Sequence, residues 1–197
     1  MFSCGIFIHL KQAFDTVDHS ILLRKLHHYG IRGSIENWFQ SYLTDRTQTT
    51  QVGSCISTKE NILCGVPQGS VLGPLLLLIY INDIYNSSKL FKFYLFADDT
   101  NLLYADKNLK SFETVINREL LGVCDWLTAN KLSLNLKKTN FVIFHPYQEK
   151  LDYHVSINMF DHNPNKIISI ESKEYVKYLG ILIHSNLTWK YQIGNIA

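Results

Sequence analysis

Charge is scarce in this 197-residue chain: charged residues make up 18% of it and the net charge is +2 at pH 7. So small a surplus does not by itself argue for a polyanionic partner. Cysteine pairing is missing as well. Cys4, Cys55, Cys64 and Cys124 show no CxxC and no metal-ligand spacing, which reads as free thiols in a reducing compartment. No basic stretch leads the apolar start "MFSCGIFIHLKQAF", and His9 and Lys11 interrupt it, so no secretory signal is expected. Without secretion the sequons at Asn86 and Asn186 carry no meaning. The longest apolar run, "VLGPLLLLIYI" (71–81), is too short to span a bilayer and predicts a buried helix. These absences predict an intracellular protein, nuclear or cytoplasmic, with no membrane partner. No internal repeat or low-complexity tract occurs.

What is present is a globular composition, 46% hydrophobic, in a chain the size of one domain. "CGIFIHL" (4–10) predicts a buried strand. "DHSILLRKLHHYG" predicts a helix capped by Asp18 or Ser20, with Leu22, Leu26 and Tyr29 on one face and Gly30 as its stop. "SIENWFQSYL" predicts a second helix, capped by Ser34, with Ile35, Trp38, Phe39, Tyr42 and Leu43 at helical spacing. Residues 47–63 alternate around Gly53-Ser54 as a hairpin does. "GVPQGS" (65–70) is a loop, and the apolar helix follows with Pro74 in its first turn. That helix is expected to lie under a sheet through Leu72, Leu75, Leu76 and Ile79. Leu109, Phe112, Ile116, Leu120, Val123 and Leu127 form one stripe of a long helix over 109–127. "KTNFVIF" (138–144) predicts a strand, 145–172 an irregular segment with short strands, and 174–185 a hairpin. Helices packing on one face of an antiparallel sheet make an α+β layer fold. The chain opens in a strand-like run and closes on "WKYQIGNIA", so both ends are expected to be cuts in a larger unit.

One stretch resists a purely structural reading. "FYLFADDTNLLYA" (93–105) sets Asp98 and Asp99 side by side between apolar runs. Adjacent carboxylates repel, and burial disfavours their ionised form, so the pair is costly without a cation. From the residues alone two readings stand open: the solvated tip of a hairpin, or a metal site.

Five motifs taken in order narrow the choice. "QAFDTVDHSILLRKL" (12–26), "GVPQGSVLGPLL" (65–76), "FADDT" (96–100), "NKLSLNLKKTNFVIF" (130–144) and "YLGILIHSNLTWK" (178–190) resemble successive motifs of reverse transcriptases, most closely those of non-LTR retrotransposons. The resemblance runs over nearly the whole chain. It implies a polymerase palm, an antiparallel sheet backed by helices, with motif regions at 4–26, 65–76, 93–105, 130–144 and 174–190 of one partial domain spanning 1–197. The implied reaction is RNA-templated DNA synthesis from a DNA primer and deoxynucleotides. In it two Mg²⁺ ions about 3.5–4 Å apart stabilise the attacking and leaving oxygens.

By that resemblance Asp98 would ligate metal and Asp99 would assist. Lys138 would stand near the leaving pyrophosphate, although Lys137 and Lys138 equally suit a solvated strand start. Phe14 matches the aromatic gate under the sugar, with a plain core phenylalanine as the other reading. Gln68 and Gly69 of "PQGS" would contact the nascent base pair, and Pro67 and Gly69 also suit a simple turn. Tyr178-Leu179-Gly180 resembles the turn that grips the primer end. The sequence departs from the pattern at one place. The family carries a metal-binding aspartate five residues ahead of the gate, and here that position is His9. A neutral imidazole suits Mg²⁺ poorly, and a protonated one repels it. Asp15 is expected to cap the following helix rather than to substitute. His184 also stands where relatives often carry aspartate, at a position without metal. Only eight residues precede His9, so fingers and thumb regions are expected to be largely missing. The expectation is therefore an inactive copy, with a non-catalytic nucleic-acid-binding remnant or a functionless relic as alternatives.

Overall fold

The computed structural model describes residues 2–146, 155–160 and 167–196. The elements in chain order are strand β1 (Phe2–His9), helices α1 (His19–His28) and α2 (Ser34–Leu43), and short strands β2 (Thr47–Gln48), β3 (Gln51–Val52), β4 (Cys55–Ile56) and β5 (Glu60–Asn61). Helix α3 (Leu72–Ile81), β6 (Lys92–Phe96), β7 (Asp99–Asp106), α4 (Leu109–Ala129) and β8 (Asn140–Phe144) follow. The last are β9 (Asn158–Phe160), β10 (Ile167–Ser169), β11 (Glu171–Ser172), β12 (Tyr175–Tyr178), β13 (Ile181–His184) and α5 (Lys190–Ile196). Among the described residues no helix is long and apolar enough to cross a membrane.

The chain divides into two compact units, one of Met1–Lys11, Ile84–Thr128 and Ser133–Ala197, the other of Gln12–Asp83 and Ala129–Leu132. The first holds a five-stranded sheet of order β11-β8-β1-β7-β6. It is antiparallel except where β11 runs parallel to β8. The predicted strand "CGIFIHL" is its centre. Strand alternation then divides the residues by face. Cys4, Ile6 and Ile8 stand opposite Tyr104, Leu102 and Thr100 of β7 in the register, and Cys4 and Ile6 opposite Ile143 and Phe141 of β8. Cys4, Ile6, Ile8, Leu102, Phe141 and Ile143 are buried, as are Phe112, Ile116, Leu120, Val123 and Leu127 of α4. The Tyr104 and Phe112 rings lie 5.3 Å apart, which places α4 on that face. The expected helical stripe is thus core from Phe112 to Leu127, the Leu109 side chain lying outside the described residues, and the fold is the expected mixed α+β palm-like architecture. Lys92, Tyr94 and Phe96 are exposed. The run before the aspartates is therefore an edge strand, half-buried rather than buried on both sides, because β6 has a neighbour only in β7. The segment 145–172 is resolved into β9, β10 and β11, and its residues 147–154 and 161–166 lie outside the described residues.

In the second unit α1 packs on α2 and α3. Asp18 is the N-cap of α1, its side chain accepting from the Ile21 N–H at 2.9 Å. Against burial, which pushes it up, hydrogen bonds from Lys131, Ser20 and the Ile21 N–H hold the Asp18 carboxyl well below the usual range. The cap of α2 is Gly33, with no side-chain bond, rather than Ser34. Tyr29, Ile35 and Trp38 are exposed, so the buried stripes of α1 and α2 are narrower than their sequence spacing predicts. Trp38 instead stacks on Tyr42, ring centroids 5.4 Å apart. Residues 47–61 form the expected hairpin as two nested pieces, β2 with β5 and β3 with β4.

Helix α3 forms where expected but corrects the predicted stripe. Leu76, Leu77, Tyr80 and Ile81 are buried, Leu72 and Ile79 only partly so, and Leu75 is half exposed. The helix belongs to the unit of α1, not to that of the sheet. The reason is that nearly every position of "LGPLLLLIYI" is apolar, so no polar residue fixes which side faces inward. Glycine is required at its entrance: a Cβ on Gly73 would fall 2.4 Å from the Pro67 carbonyl oxygen, and one on Gly65 (φ +90°) 2.9 Å from that of Asp15.

Candidate functional site

The opposite face of the sheet carries the polar side chains. His9 stands opposite Asp99 in the β1–β7 register and Phe7 opposite Asn101, while Phe7 also stands opposite Asn140 of β8. Strands β6 and β7 are joined by Ala97 and Asp98, with Ala97 in the left-handed region at φ +51°. This turn brings the Asp98 Oδ2 to 3.6 Å from the His9 Nε2. The two predicted aspartates and the histidine at the third position therefore lie together, as the motif spacing requires.

His9 is held from several sides. Its N–H donates to Thr139 Oγ1 at 3.3 Å and its carbonyl accepts from the Asn135 N–H at 2.8 Å. Its Nδ1 is 2.9 Å from the Leu10 carbonyl oxygen. A carbonyl can only accept, so Nδ1 carries the proton and donates. Burial first, and then the neighbouring Asp98 charge, push the Asp99 carboxyl above its ordinary range, against the opposing pull of His9 and Lys138.

Beside these groups is a recess of about 190 Å³ lined by His9, Asp99, Asn101, Lys138, Asn140 and Lys177, among others. Tyr178 also lines it, its ring 5.8 Å from that of Phe7. Lys138 is thus beside Asp99. Asn140 is 8% exposed; its Nδ2 donates to the Lys138 carbonyl at 2.8 Å, and its Oδ1 is buried with no hydrogen-bond partner. Sequence reasoning missed Asn101 and Asn140. The signal available was two asparagines inside otherwise apolar strands at positions in phase with His9 and Asp99.

Phe14, Gln68 and Gly69 belong to the second unit. Phe14 is partly buried and its carbonyl accepts from the Val66 N–H at 2.7 Å, which ties the first motif to the "GVPQGS" loop. Gln68 Nε2 donates to Asp15 Oδ1 at 2.9 Å. Asp15 is therefore not the helix cap expected of it, a role that Asp18 fills. Both residues border an open groove of about 830 Å³ with Arg46, Gln48, Asn61 and Cys64. Gly69 lies in the left-handed region at φ +79°. His184 is buried, bonds Glu174 through Nε2 at 3.0 Å, accepts from the Asn186 N–H at 3.1 Å and stacks on Tyr191. It is a packing residue.

Residues 3–183 match the family described as reverse transcriptase (RNA-dependent DNA polymerase). The chain belongs to that family. It is 28% identical, over 98% of its length, to the probable RNA-directed DNA polymerase from transposon X-element of Drosophila melanogaster, covering 20% of that protein. It is 27% identical over 99% of its length to the RNA-directed DNA polymerase from mobile element jockey of the same organism, covering 21% of it. The chain thus spans about a fifth of the length of the curated relatives it matches. Among solved structures it is similar to the telomerases of Candida tropicalis and Candida albicans. The TM-score is 0.53 and the identity 12% for each, covering 85% and 94% of this chain and 35% and 30% of theirs. At that identity the likeness is one of fold.

Reverse transcriptases work with divalent metal ions, and the residues here can be tested against a pair of magnesium ions. Magnesium demands hard oxygen donors in near-octahedral array. Both carboxylates come from one hairpin, and the neighbouring strand offers an imidazole nitrogen. Among the described residues no three His, Cys, Asp or Glu side chains are gathered closely enough to hold an ion as they stand. This donor set does not fit two magnesium ions.

Proposed function

We propose that this chain is a partial reverse transcriptase domain, 1–197, of a non-LTR retrotransposon, in which RNA-templated DNA synthesis has been lost with the carboxylate at position 9. The observation that carries the reading is His9, opposite Asp99 in the strand register and 3.6 Å from Asp98. The family's partners would be an RNA template, a DNA primer and deoxynucleotides. Lys138 would still offer its ammonium to a phosphate beside the recess. By the family resemblance Phe14 would lie under the sugar, and Gln68 and Gly69 would contact the nascent base pair. The deficit lies in the two strands that should hold metal.

The test is a chimera in which a fingers region and a thumb from a relative are fused to this chain, assayed with radiolabelled primer on an RNA template in Mg²⁺. The unmodified chimera should give no measurable extension, His9→Asp should restore it, and Asp98→Asn added to that variant should abolish it again. Robust synthesis by the unmodified chimera overturns the reading.

A second reading, binding of nucleic acid without catalysis, is favoured by one observation. Lys137, Lys138, Lys173 and Lys177 border a groove of about 660 Å³, which also contains Glu171 and Glu174. Phosphate contacts of this kind weaken linearly in log affinity against log salt. Filter binding of RNA across a salt series should show that slope and lose part of it in Lys137→Gln/Lys173→Gln. A salt-independent signal would exclude this reading.

A further inference from the structure

The two edges of the five-stranded sheet differ. At one, β11 is two residues long and carries the charged Glu171, the kind of short edge that blunts pairing with another chain. At the other, β6 is five residues long and has no proline, and its register with β7 runs from Lys92 to Phe96 without a bulge. The hairpin fixes which backbone groups this edge leaves open. Residues flanking a two-residue turn form a hydrogen-bonded pair, and such pairs recur at alternate positions. Phe96, Tyr94 and Lys92, opposite Asp99, Asn101 and Leu103, therefore turn their N–H and C=O groups to β7. The Leu10 N–H, which donates to the Asp98 carbonyl at 3.4 Å, keeps the same phase on the far side of β7. Phe93 and Leu95 turn theirs outward, and among the described residues nothing bonds to them.

A strand of the same sequence matches this edge. Run antiparallel with Tyr94 opposite Tyr94, a second β6 sets Phe93 against Leu95 and Leu95 against Phe93, and every outward N–H and C=O of the two residues is paired. A shift of one residue sets outward groups against inward ones. A shift of two sets Phe93 against Ala97, which is in the turn at φ +51°, or Leu95 against Phe91, which precedes the strand. The side chains agree with the central register. Tyr94 and Phe96 are 52% and 57% exposed. The pairing covers Tyr94 with its own copy and brings each Lys92 ammonium to the other copy's Phe96 ring, a cation–π pair, while the two lysines stay apart. Asp98 comes just after Phe96 in the chain, so the acidic turn of each copy is on the diagonal from the other's Lys92, within reach of so long a side chain.

We propose that β6 is an interaction surface for a second copy of this chain, pairing antiparallel about Tyr94 and joining the two sheets into one. The contact is isologous and uses up both edges, so assembly stops at the dimer. One strand pair buries less than the roughly 1,600 Å² of a standard interface, so the dimer is weak and forms as concentration rises.

The experiment uses the full chain. Sedimentation velocity over a concentration series should show a monomer passing into a dimer and nothing larger. Tyr94→Lys and Tyr94→Glu each set like charges against each other at the centre and should weaken association at least tenfold, and an equimolar mixture of the two should restore it. Both changes are at an exposed side chain, and a second measurement needs neither. With Cys55→Ser and Cys64→Ser removing the exposed thiols, Tyr94→Cys should form a covalent dimer under mild oxidant. Non-hydrogen-bonded partners stand about 4.5 Å apart at Cα, within disulfide reach. Lys92→Cys, about 13 Å from its own copy along the strands, should not cross-link. A chain that stays monomeric at every concentration overturns the proposal and leaves the edge to an extended segment of another protein. So does association unchanged by both Tyr94 charges, a species larger than the dimer, or cross-linking at Lys92→Cys as ready as at Tyr94→Cys.

Discussion

On the face of the sheet that carries α4, Ile6, Ile8, Leu102 and Phe141 are buried, as are Phe112 and Ile116 of the helix, and Tyr104 meets Phe112. On the other face, at alternate positions of the same strands, stand His9, Asp99, Asn101 and Asn140. The backbone is common to both, so the difference lies in the period-two alternation of side chains. Each strand therefore stabilises the fold with one set of residues and presents chemistry with the other. The site can be altered without dismantling the core that holds it.

That separation can be broken or sharpened by substitution. The largest effect belongs to the polar face: in the chimera His9→Asp should raise Mg²⁺-dependent primer extension about a thousandfold or more, since recovering a metal ligand is worth several kcal/mol at about 1.4 kcal/mol per factor of ten. The same change in the isolated chain should move the urea midpoint little, His9 being at the end of β1 and partly exposed. A large loss of stability would show that the two faces are not independent. On the apolar face Phe141→Ala should cost about 3–5 kcal/mol in urea unfolding, the usual range for a buried aromatic.

Helix α3 offers the same contrast one residue apart. Leu76→Ala should cost about 2–5 kcal/mol and Leu75→Ala, half exposed, less than about 1 kcal/mol. Equal costs would mean that the phase of the helix is wrong. Loss of the helix cap by Asp18→Ala should cost about 0.5–2 kcal/mol. Because the folded Asp18 carboxyl is held below its usual range, its contribution is present above its unfolded value of about 4 and declines as pH falls below that. The difference in stability between wild type and Asp18→Ala should therefore shrink from pH 6 toward pH 3. The smallest effect is expected at Asn140→Leu, which loses one hydrogen bond to Lys138 but removes a buried oxygen with no partner. The two nearly offset, leaving a change within about 1 kcal/mol.

The sequence by itself determined the elements whose pattern is periodic and bounded. The α4 stripe of Phe112, Ile116, Leu120 and Val123 repeats with the helical period, so its buried face was legible before any packing was known. The β6–β7 hairpin was legible because adjacent aspartates interrupt two apolar runs, Asp98 lying in the turn and Asp99 opening β7. The resemblance to reverse transcriptases also implied that His9 stands beside Asp98, and the β1–β7 register brings the two together. Tertiary structure alone decided the rest. Which side of α3 is buried cannot be read from a helix that is apolar all round. The exposure of Trp38 and Ile35 depends on what α2 packs against, not on their spacing. The bond between Asp15 and Gln68 joins residues 53 positions apart, and Asn140, whose side-chain oxygen is buried without a partner, lies where β8 pairs with the distant β1. Local propensity is carried by neighbours in sequence; burial and pairing of polar atoms are settled only when distant segments close around them.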